Sequence, residues 1–120
     1  MPIPPLINWV HIATDPSQRL PESYVHWMRT CAQTNTDLTL LFWSAADCAA
    51  LVSARHPSFS TFYNSELKTS IYKADFCRML VLHAVGGIYL DLDFYCIRPL
   101  SPLLSHSLFV AEVCAHRALS

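Results

Sequence analysis

Two aspartates late in the chain are the residues best suited to do chemistry. Asp91 and Asp93 stand two positions apart in the segment Gly87–Asp93, GIYLDLD, in which apolar and polar residues alternate. Because residues two apart in a strand point to the same face, the alternation predicts that Tyr89, Asp91 and Asp93 share one face. Aspartate is disfavoured in strands, and two carboxylates about 6–7 Å apart repel each other by about 2–3 kcal/mol. A divalent cation bound by both carboxylates replaces this repulsion with attraction, so the pair is a candidate metal site.

The ligand type narrows the choice of cation. Carboxylate oxygens suit Mg²⁺ or Mn²⁺ better than zinc. Mg²⁺ often takes only one or two protein carboxylates and completes its coordination with water and substrate phosphates. At the carboxyl end of a parallel strand, such a pair would face the crevice where open α/β sheets bind ligands. The alternative interpretation is an edge strand with a solvated acidic face.

A second polar pair lies in a predicted helix upstream. Asp75 and Arg78 stand three residues apart, so they share a helix face. Their neighbours over Phe76–Leu82 are nearly all apolar, which predicts that the pair lies near the buried side. An arginine there can present its guanidinium fork to phosphate or sugar oxygens, although an ordinary intrahelical ion pair has the same pattern.

The elements that must position these residues alternate between strand and helix. Short apolar runs over Leu6–Ile12 and Leu38–Trp43, and the alternating segment Ile88–Asp93, are typical of strands. Helices are predicted over residues 22–31, 45–55 and 70–85. This order predicts an α/β fold with a mainly parallel sheet.

Local signals set several of these boundaries. Ser44 and Asp47 have the spacing of a capping box at the start of the second helix. Gly86 and Gly87 stop the third helix, because glycine readily adopts the left-handed conformation at a helix end. The segment His56–Ser65 between these helices is interpreted as a loop.

Composition excludes several classes of protein. The chain has 120 residues, of which 52% are hydrophobic and 14% charged, so a folded core is expected rather than disorder. A net charge of -1 gives no electrostatic footprint for nucleic acid. No apolar run approaches the roughly 18 residues of a membrane span, and no signal peptide is visible. The two glycines are adjacent, which excludes a dinucleotide fingerprint and a P-loop.

The cysteines carry no recognisable motif. They are odd in number, widely spaced and without a C-x-x-C pair, at Cys31, Cys48, Cys77, Cys96 and Cys114. This pattern argues against a zinc site and against a disulfide framework, and it favours a reducing compartment. Each cysteine is interpreted as a small buried hydrophobe.

The segment Lys73–Leu100, KADFCRMLVLHAVGGIYLDLDFYCIRPL, resembles the DXD-containing sugar-binding region of glycosyltransferases. The family pattern combines Ala/Ser-Asp-x-x-Arg, an apolar helix, Gly-Gly-x-Tyr-x-Asp-x-Asp and a Pro-Leu pair, and this sequence has each at matching spacing. The residues before Trp43 fit the family's opening more loosely. The resemblance implies a partial GT-A fold, which is Rossmann-like, with residues 1–120 forming one domain that corresponds to the amino-terminal part of the family's longer domain.

The resemblance also implies a role for each site residue. Asp93 would hold Mn²⁺ or Mg²⁺, which in turn grips the nucleotide diphosphate. Asp91 would contact ribose and donor-sugar hydroxyls and touch the metal through water. Asp75 and Arg78 would bind the donor sugar, with Arg78 also near the phosphates. Tyr89 would line the same pocket.

One further role is implied less directly. Trp9 lies roughly where some family members stack an aromatic ring on the nucleotide base. A tryptophan in an apolar strand is more often part of the core. Both interpretations stay open from the sequence.

The implied reaction is metal-dependent transfer of a hexose or N-acetylhexosamine from a UDP- or GDP-linked sugar to a glycan, glycolipid or protein. Such a protein would be cytoplasmic in a bacterium and Golgi-associated in a eukaryote. Because the family's domain is longer, we expect the 120-residue chain alone to be inactive in transfer and only marginally stable. The alternative is a nucleotide-sugar-binding remnant without transfer activity.

A haloacid-dehalogenase-like phosphatase is the other enzymatic alternative, since its first motif is also D-x-D on a strand. That family continues with Thr or Val where this chain has Tyr95. It also places its motif near the start of the domain, whereas Asp91 lies late in this chain. The phosphatase interpretation is therefore the weaker one.

Overall fold

The computed structural model describes residues 2–15 and 17–110, so Cys114 lies outside the described residues. These residues form a three-stranded parallel sheet with the strand order β2-β1-β3 and three α-helices. The elements in chain order are β1 (Leu6–Val10), α1 (Glu22–Thr34), β2 (Thr39–Trp43), α2 (Ala45–Arg55), α3 (Ser70–Val85) and β3 (Ile88–Tyr89). The predicted α/β class with a parallel sheet is confirmed.

The central position of β1 determines the layers. From β1 the chain passes through α1 to β2 on one side, and from β2 through α2 and α3 to β3 on the other side. Parallel crossovers are almost always right-handed, so two crossovers in opposite directions place their helices on opposite faces of the sheet. The sheet is accordingly covered by α1 on one face and by α2 and α3 on the other.

Alternation along β1 divides the core into two clusters. Ile7 and Trp9 pack on the α1 face, where Cys31, Leu38, Ile88, Leu90 and Cys96 complete the cluster of buried residues. Val10 points to the other face, where the cluster contains Cys48, Val52, Tyr63, Cys77, Leu80 and Val81. Each face of the small sheet therefore has its own apolar layer.

The boundaries set by local signals agree well with the structure. The helices α2 and α3 begin and end at the predicted residues. In the capping box, the Ser44 hydroxyl accepts a hydrogen bond from the Asp47 amide at 3.2 Å, and the Asp47 carboxylate accepts one from the Ser44 amide at 2.9 Å. The first helix continues beyond Cys31 to Thr34.

The predicted loop over His56–Ser65 is wrong in part. A short 3₁₀ turn occupies Pro57–Phe59 and a π-helical turn occupies Phe62–Glu66. The physical reason is Tyr63, whose side chain is 2% exposed and packs into the cluster beside α3. Burial of this aromatic side chain favours a helical conformation that the local breakers do not predict.

Burial of the cysteines is confirmed for Cys31, Cys48, Cys77 and Cys96, but the prediction that no disulfides form is wrong for these four. The described residues contain two disulfides, Cys31–Cys96 and Cys48–Cys77, which join residues 65 and 29 positions apart. Their spacing is not that of a compact disulfide motif, because the fold alone brings each pair together. In the chain-entropy model each closed loop of this size stabilises the fold by about 4 kcal/mol. The cysteine argument for a reducing compartment loses its basis, since disulfides are typical of oxidising compartments.

The capping box gives a stability prediction. Replacing Ser44 by alanine is expected to lower the free energy of unfolding by about 1 kcal/mol, because the Asp47 amide loses its acceptor. Urea denaturation of the 120-residue chain at neutral pH measures the change. Ser53→Ala, at an exposed position inside the same helix, is the control and should change stability by less than about 0.5 kcal/mol. Equal effects of the two substitutions would contradict a capping role.

The same box predicts a pH dependence. Hydrogen bonds from the Ser44 amide and hydroxyl lower the pKa of the Asp47 carboxyl below its ordinary value of 3.8. Its stabilising contribution is therefore complete above that value and is lost as the pH falls through the lowered pKa. The stability difference between the wild type and Asp47→Asn should stay constant from neutral pH to about pH 5 and shrink below about pH 4.

Candidate functional site

A cleft of about 690 Å³ opens at the carboxyl ends of β1 and β3. Strand order reverses between these strands, since the chain leaves β1 for β2 on one side and reaches β3 on the other. Ligands of open α/β sheets bind at such a switch point. The lining comes from the end of β1, the loop after it, both helix starts that face the loop, and the end of β3: Val10, His11, Ile12, Ala13, Thr14, Gln18, Arg19, Pro21, Tyr24, Ser70, Ile71, Ala74, Asp75, Tyr89, Asp91, Leu92 and Asp93.

The turn between α3 and β3 is fixed against β1. Gly86 and Gly87 have φ values of 70° and 94°, in the left-handed region that favours glycine. A Cβ on Gly87 would lie 2.7 Å from the Leu6 Cβ and 2.8 Å from the Leu6 carbonyl oxygen. The chain can approach the central strand this closely only because no side chain is present. The contact between this turn and β1 therefore determines the position of the residues that follow β3.

The Asn8 side chain holds that approach by hydrogen bonds. Asn8 is fully buried in β1, and its Nδ2 donates to the carbonyl oxygens of Gly86 at 2.9 Å and Ile88 at 3.3 Å. Its Oδ1 accepts a hydrogen bond from Nε1 of Trp43 in β2 at 3.1 Å. One amide thus connects all three strands just below the cleft.

The structure brings Asp91 and Asp93 to the cleft in a different way from that predicted. The strand ends at Tyr89, the Leu90 amide still donates to the Asn8 carbonyl at 3.1 Å, and a turn follows that the Phe94 amide closes on the Asp91 carbonyl at 3.1 Å. The prediction of one strand face over residues 88–93 is therefore wrong beyond Leu90. Aspartates favour turns over strands, and the turn exposes both carboxylates at the cleft.

Arg78 lies between two of the acids. Its Nη2 is 3.5 Å from Oδ1 of Asp75 in the same helix, and its Nη1 is 4.0 Å from Oδ1 of Asp91. The side chains of Asp75 and Asp91 are 58% and 61% exposed, so these pairs contribute little to stability. The expectation that the Asp75–Arg78 pair lies near the buried side is wrong for Asp75. The arrangement instead holds the guanidinium between α3 and the turn.

Tyr89 completes this group of side chains. The Arg78 guanidinium lies over its ring, 5.4 Å from the centroid, at a distance typical of a cation–π contact. Burial, and after it the nearby Asp91 carboxylate, raises the pKa of Tyr89 to about 12. The phenol is therefore neutral at physiological pH, and its hydroxyl can donate a hydrogen bond in the cleft.

Trp9 does not belong to the cleft. Its side chain is 2% exposed, it packs in the cluster on the α1 face, and it is not among the lining residues. Its Nε1 has no hydrogen-bond partner among the described residues. The core interpretation of this tryptophan is the one that the structure supports.

Sequence reasoning did not identify several polar residues that line the cleft. They come from the end of β1, the loop after it and the first turn of α1: His11, Thr14, Gln18, Arg19 and Tyr24. The signal was available, because residues that follow a parallel strand face the crevice. The predicted strand ran to Ile12, however, and this placed His11 inside the sheet.

The donor groups fit one mode of metal binding. The described residues include no cluster of three or more His, Cys, Asp or Glu side chains that could form a complete protein cage. Asp91 and Asp93 are two exposed carboxylates on one turn at the cleft. Such a pair suits Mg²⁺ or Mn²⁺ that shares its remaining coordination positions with water and phosphate.

Comparison with known proteins identifies the family of the chain. A family model described as a glycosyltransferase sugar-binding region containing a DXD motif matches residues 21–110. That range includes the Asp75 and Arg78 pair and the turn with Asp91 and Asp93. The chain belongs to this family. The resemblance seen in the sequence is thereby confirmed, and the parallel α/β architecture agrees with a partial GT-A fold.

Several relatives are similar in sequence to this chain over most of its length. Inositol phosphoceramide mannosyltransferase 3 of Schizosaccharomyces pombe is 33% identical over 78% of this chain and 26% of its own length. Mannosyl phosphorylinositol ceramide synthase CSH1 of Saccharomyces cerevisiae is 31% identical over 92% of this chain and 28% of its own. The initiation-specific alpha-1,6-mannosyltransferase of Candida albicans is 30% identical over 77% of this chain and 24% of its own. The chain thus spans about a quarter of the length of these relatives.

Two further findings concern solved structures and membrane-spanning helices. No solved structure gives a significant match to the chain. Among the described residues, no helix combines the length and apolar character that crossing a membrane would require.

The Asn8 amide generates a prediction about the site. Asn8→Leu should lower the free energy of unfolding by about 2–4 kcal/mol, because the carbonyls of Gly86 and Ile88 and the Trp43 indole would lose partners in a buried environment. Thermal and urea denaturation of the 120-residue chain measure the loss. Asn64→Leu, at an exposed position, is the matched control and should change stability by less than about 0.5 kcal/mol. A near-neutral Asn8→Leu would mean that this amide does not hold the strands.

Proposed function

We propose that this chain supplies the donor-binding part of a glycosyltransferase that moves a hexose from a nucleotide-diphosphate sugar. The observation that carries the proposal is the convergence of Asp75, Tyr89, Asp91 and Asp93 in the lining of one cleft at the switch point of the sheet. Arg78 is not among the lining residues, but its guanidinium contacts three of these four side chains. The cleft volume lies within the range of about 300–1,000 Å³ that small-molecule sites occupy. Family membership supports the reaction class.

The two carboxylates of the turn are assigned to the cation. Asp93 would be a direct ligand of Mn²⁺ or Mg²⁺, and Asp91 would support it directly or through water. When bound, the cation offsets negative charge on the diphosphate that leaves the sugar. The turn holds both carboxylates on the side of the cleft. Among the described residues, the ion-pair partner nearest to either of them is Arg78, whose Nη1 lies 4.0 Å from Oδ1 of Asp91.

Arg78 and Asp75 are assigned to the donor sugar. The Arg78 guanidinium lies beside two carboxylates and over the Tyr89 ring, which place it next to the cleft, and its planar fork is available to a ligand. A fork of this kind binds sugar hydroxyl or phosphate oxygens with defined geometry. The exposed Asp75 carboxylate can accept hydrogen bonds from sugar hydroxyls. Positioning of the donor against an acceptor supplies a large part of the rate in such transfers.

The names of the relatives narrow the substrates to test first. Most of those matched are mannosyltransferases, and several act on inositol phosphoceramide by name. We therefore propose a mannosyl donor, linked to GDP or UDP, and a glycolipid acceptor before a glycan or a protein. The two disulfides favour an oxidising compartment such as the lumen of the Golgi.

Metal dependence is the first test of this function. Donor binding is measured by titrating GDP-mannose and UDP-linked sugars into the 120-residue chain, with Mn²⁺ and with a chelator. Mn²⁺ should strengthen binding at least about tenfold, and Asp93→Asn should remove this increment, because it takes away a ligand charge while preserving shape. Asp37→Asn replaces an exposed aspartate before β2 and should keep the increment. Equal binding in the chelator would contradict the proposal.

The role of Arg78 gives a second, independent test. Arg78→Lys should weaken donor-sugar binding by about five- to tenfold, since lysine offers neither the planar fork nor the same contact with the Tyr89 ring. Affinity for Mn²⁺ with the bare nucleoside diphosphate should change much less. Arg55→Lys, at the exposed end of α2, is the matched control. If Arg78→Lys binds the donor sugar as the wild type does, the fork has no role in recognition.

A further inference from the structure

The last turn of α1 holds the segment that follows the two aspartates of the cleft. Cys31 and Cys96 form a disulfide, with the two residues 0% and 9% exposed. One residue earlier in α1, the Thr30 hydroxyl accepts a hydrogen bond from the Cys96 amide at 2.9 Å and donates one to the Trp27 carbonyl at 2.6 Å. Cys96 is thus held by its side chain and by its backbone.

Asn35 extends this attachment further along the segment. Its side chain is 1% exposed, its Oδ1 accepts a hydrogen bond from the Leu100 amide at 2.7 Å, and its Nδ2 donates to the Cys31 carbonyl at 3.0 Å. A buried amide whose acceptor and donor are both used fixes its partners in one arrangement. We refer to Thr30, Cys31, Asn35 and Cys96 together as the α1 brace.

The brace lies close to the candidate metal ligands along the chain. The turn that bears Asp91 and Asp93 closes at Phe94, and Cys96 follows two residues later. On its other side the turn is held by the bond from the Leu90 amide to the Asn8 carbonyl. Phe94 and Tyr95 are 41% and 56% exposed, so packing of their side chains does little to anchor this stretch. Leu92, inside the turn, packs partly buried against the cluster on the α1 face. After the turn, the brace is the first covalent and hydrogen-bonded anchor.

We propose that the α1 brace is a positioning device that sets the Asp91–Asp93 turn for metal-dependent donor binding. This inference rests on the proposed function, since it assigns the brace to the same site. With the brace intact, the turn is held at both ends and its carboxylates are kept at the cleft. Without the brace, the residues on the carboxyl side of the turn have more conformational freedom. Donor binding must then order them, and this entropic cost lowers the affinity.

The second disulfide provides a matched control. Cys48–Cys77 joins α2 to α3 on the opposite face of the sheet, and the two loops contribute comparable loop-closure stabilisation. Cys77 lies between Asp75 and Arg78 in α3, so the comparison uses only the Mn²⁺-dependent increment, which is assigned to Asp91 and Asp93. If the brace only stabilised the fold, removal of either disulfide would have the same effect on binding. The variants are Cys31→Ala/Cys96→Ala and Cys48→Ala/Cys77→Ala, studied without reductant at a temperature where both are folded.

Binding of GDP-mannose with and without Mn²⁺ is the first measurement. The Cys31→Ala/Cys96→Ala variant should lose at least about fivefold of the Mn²⁺-dependent increment, and the other pair should stay within about twofold of the wild type. Equal losses in the two variants, or an unchanged increment in the first, would overturn the proposal. Wild-type protein without any Mn²⁺ increment would instead overturn the proposed function.

Hydrogen exchange separates the two proposals. The amide of Phe94, which closes the turn, should exchange faster in Cys31→Ala/Cys96→Ala than in Cys48→Ala/Cys77→Ala. This readout needs neither metal nor donor, so it tests the brace even if the proposed function fails. Unchanged exchange at Phe94 would overturn the brace.

Thr30 keeps the proposal testable if the first cysteine pair fails to fold. Thr30→Val removes the hydroxyl with nearly the same shape, whereas Thr30→Ser keeps it. Thr30→Val should weaken the Mn²⁺ increment by about threefold and speed exchange at the Cys96 amide, and Thr30→Ser should restore both. Identical behaviour of the two variants would contradict the positioning role.

Discussion

The structure depends on the buried side-chain amide of Asn8, in the central strand of the sheet. Through it the central strand is hydrogen bonded to the turn before β3 and to the indole of Trp43 in β2. A buried amide is costly without partners and orders its surroundings when all of them are present. Because Gly87 has no side chain to separate the turn from Leu6, the amide can act at this short range. The placement of the cleft follows from this contact, since β3 leads directly into the turn with the two aspartates.

Charge in the cleft restricts what can bind there. Three carboxylates, those of Asp75, Asp91 and Asp93, line the cleft together with one guanidinium, that of Arg19. Arg78 is not among the lining residues but lies close enough to pair with two of the acids. A diphosphate brought into such a cleft by itself would be repelled by the acids. A cation bound on the turn, as proposed above, would change the sign of that interaction and would leave Arg78 for the sugar end of the ligand. The two ends of a nucleotide-diphosphate sugar thus have different requirements that this arrangement can meet.

The parts of the fold that depend on interactions between residues close in sequence were predicted correctly. The Ser44 and Asp47 box and the Gly86 stop act within a few residues, and the helices that they bound were predicted correctly. The class of fold followed from the order of elements. Asp75 and Arg78 were also recognisable, because their spacing is that of one helix face.

The remaining features depend on contacts between distant residues. The end of β3 at Tyr89 depends on where its register with β1 runs out, which no property of the alternating segment reveals. The pairing of Cys31 with Cys96 requires the fold first, since 65 positions separate them. Likewise Trp9 is in the core because of the α1 layer above it, and a strand predicted to be two residues longer concealed the position of His11 at the cleft.

The distribution of the disulfides has a physical consequence for a sheet of this size. The three short strands that the described residues form bury little apolar surface by themselves, and covalent links commonly supplement a small core. Here each apolar layer contains one link, Cys31–Cys96 on the α1 face and Cys48–Cys77 on the other. The first reaches the segment after Asp93, and the second reaches α3 between Asp75 and Arg78. Asp75 and Arg78 are already fixed relative to each other by the continuous helix α3, so the second link adds little to their arrangement. The first link ties to α1 a segment that belongs to no helix or strand, and it therefore restrains the residues after Asp93 where secondary structure does not.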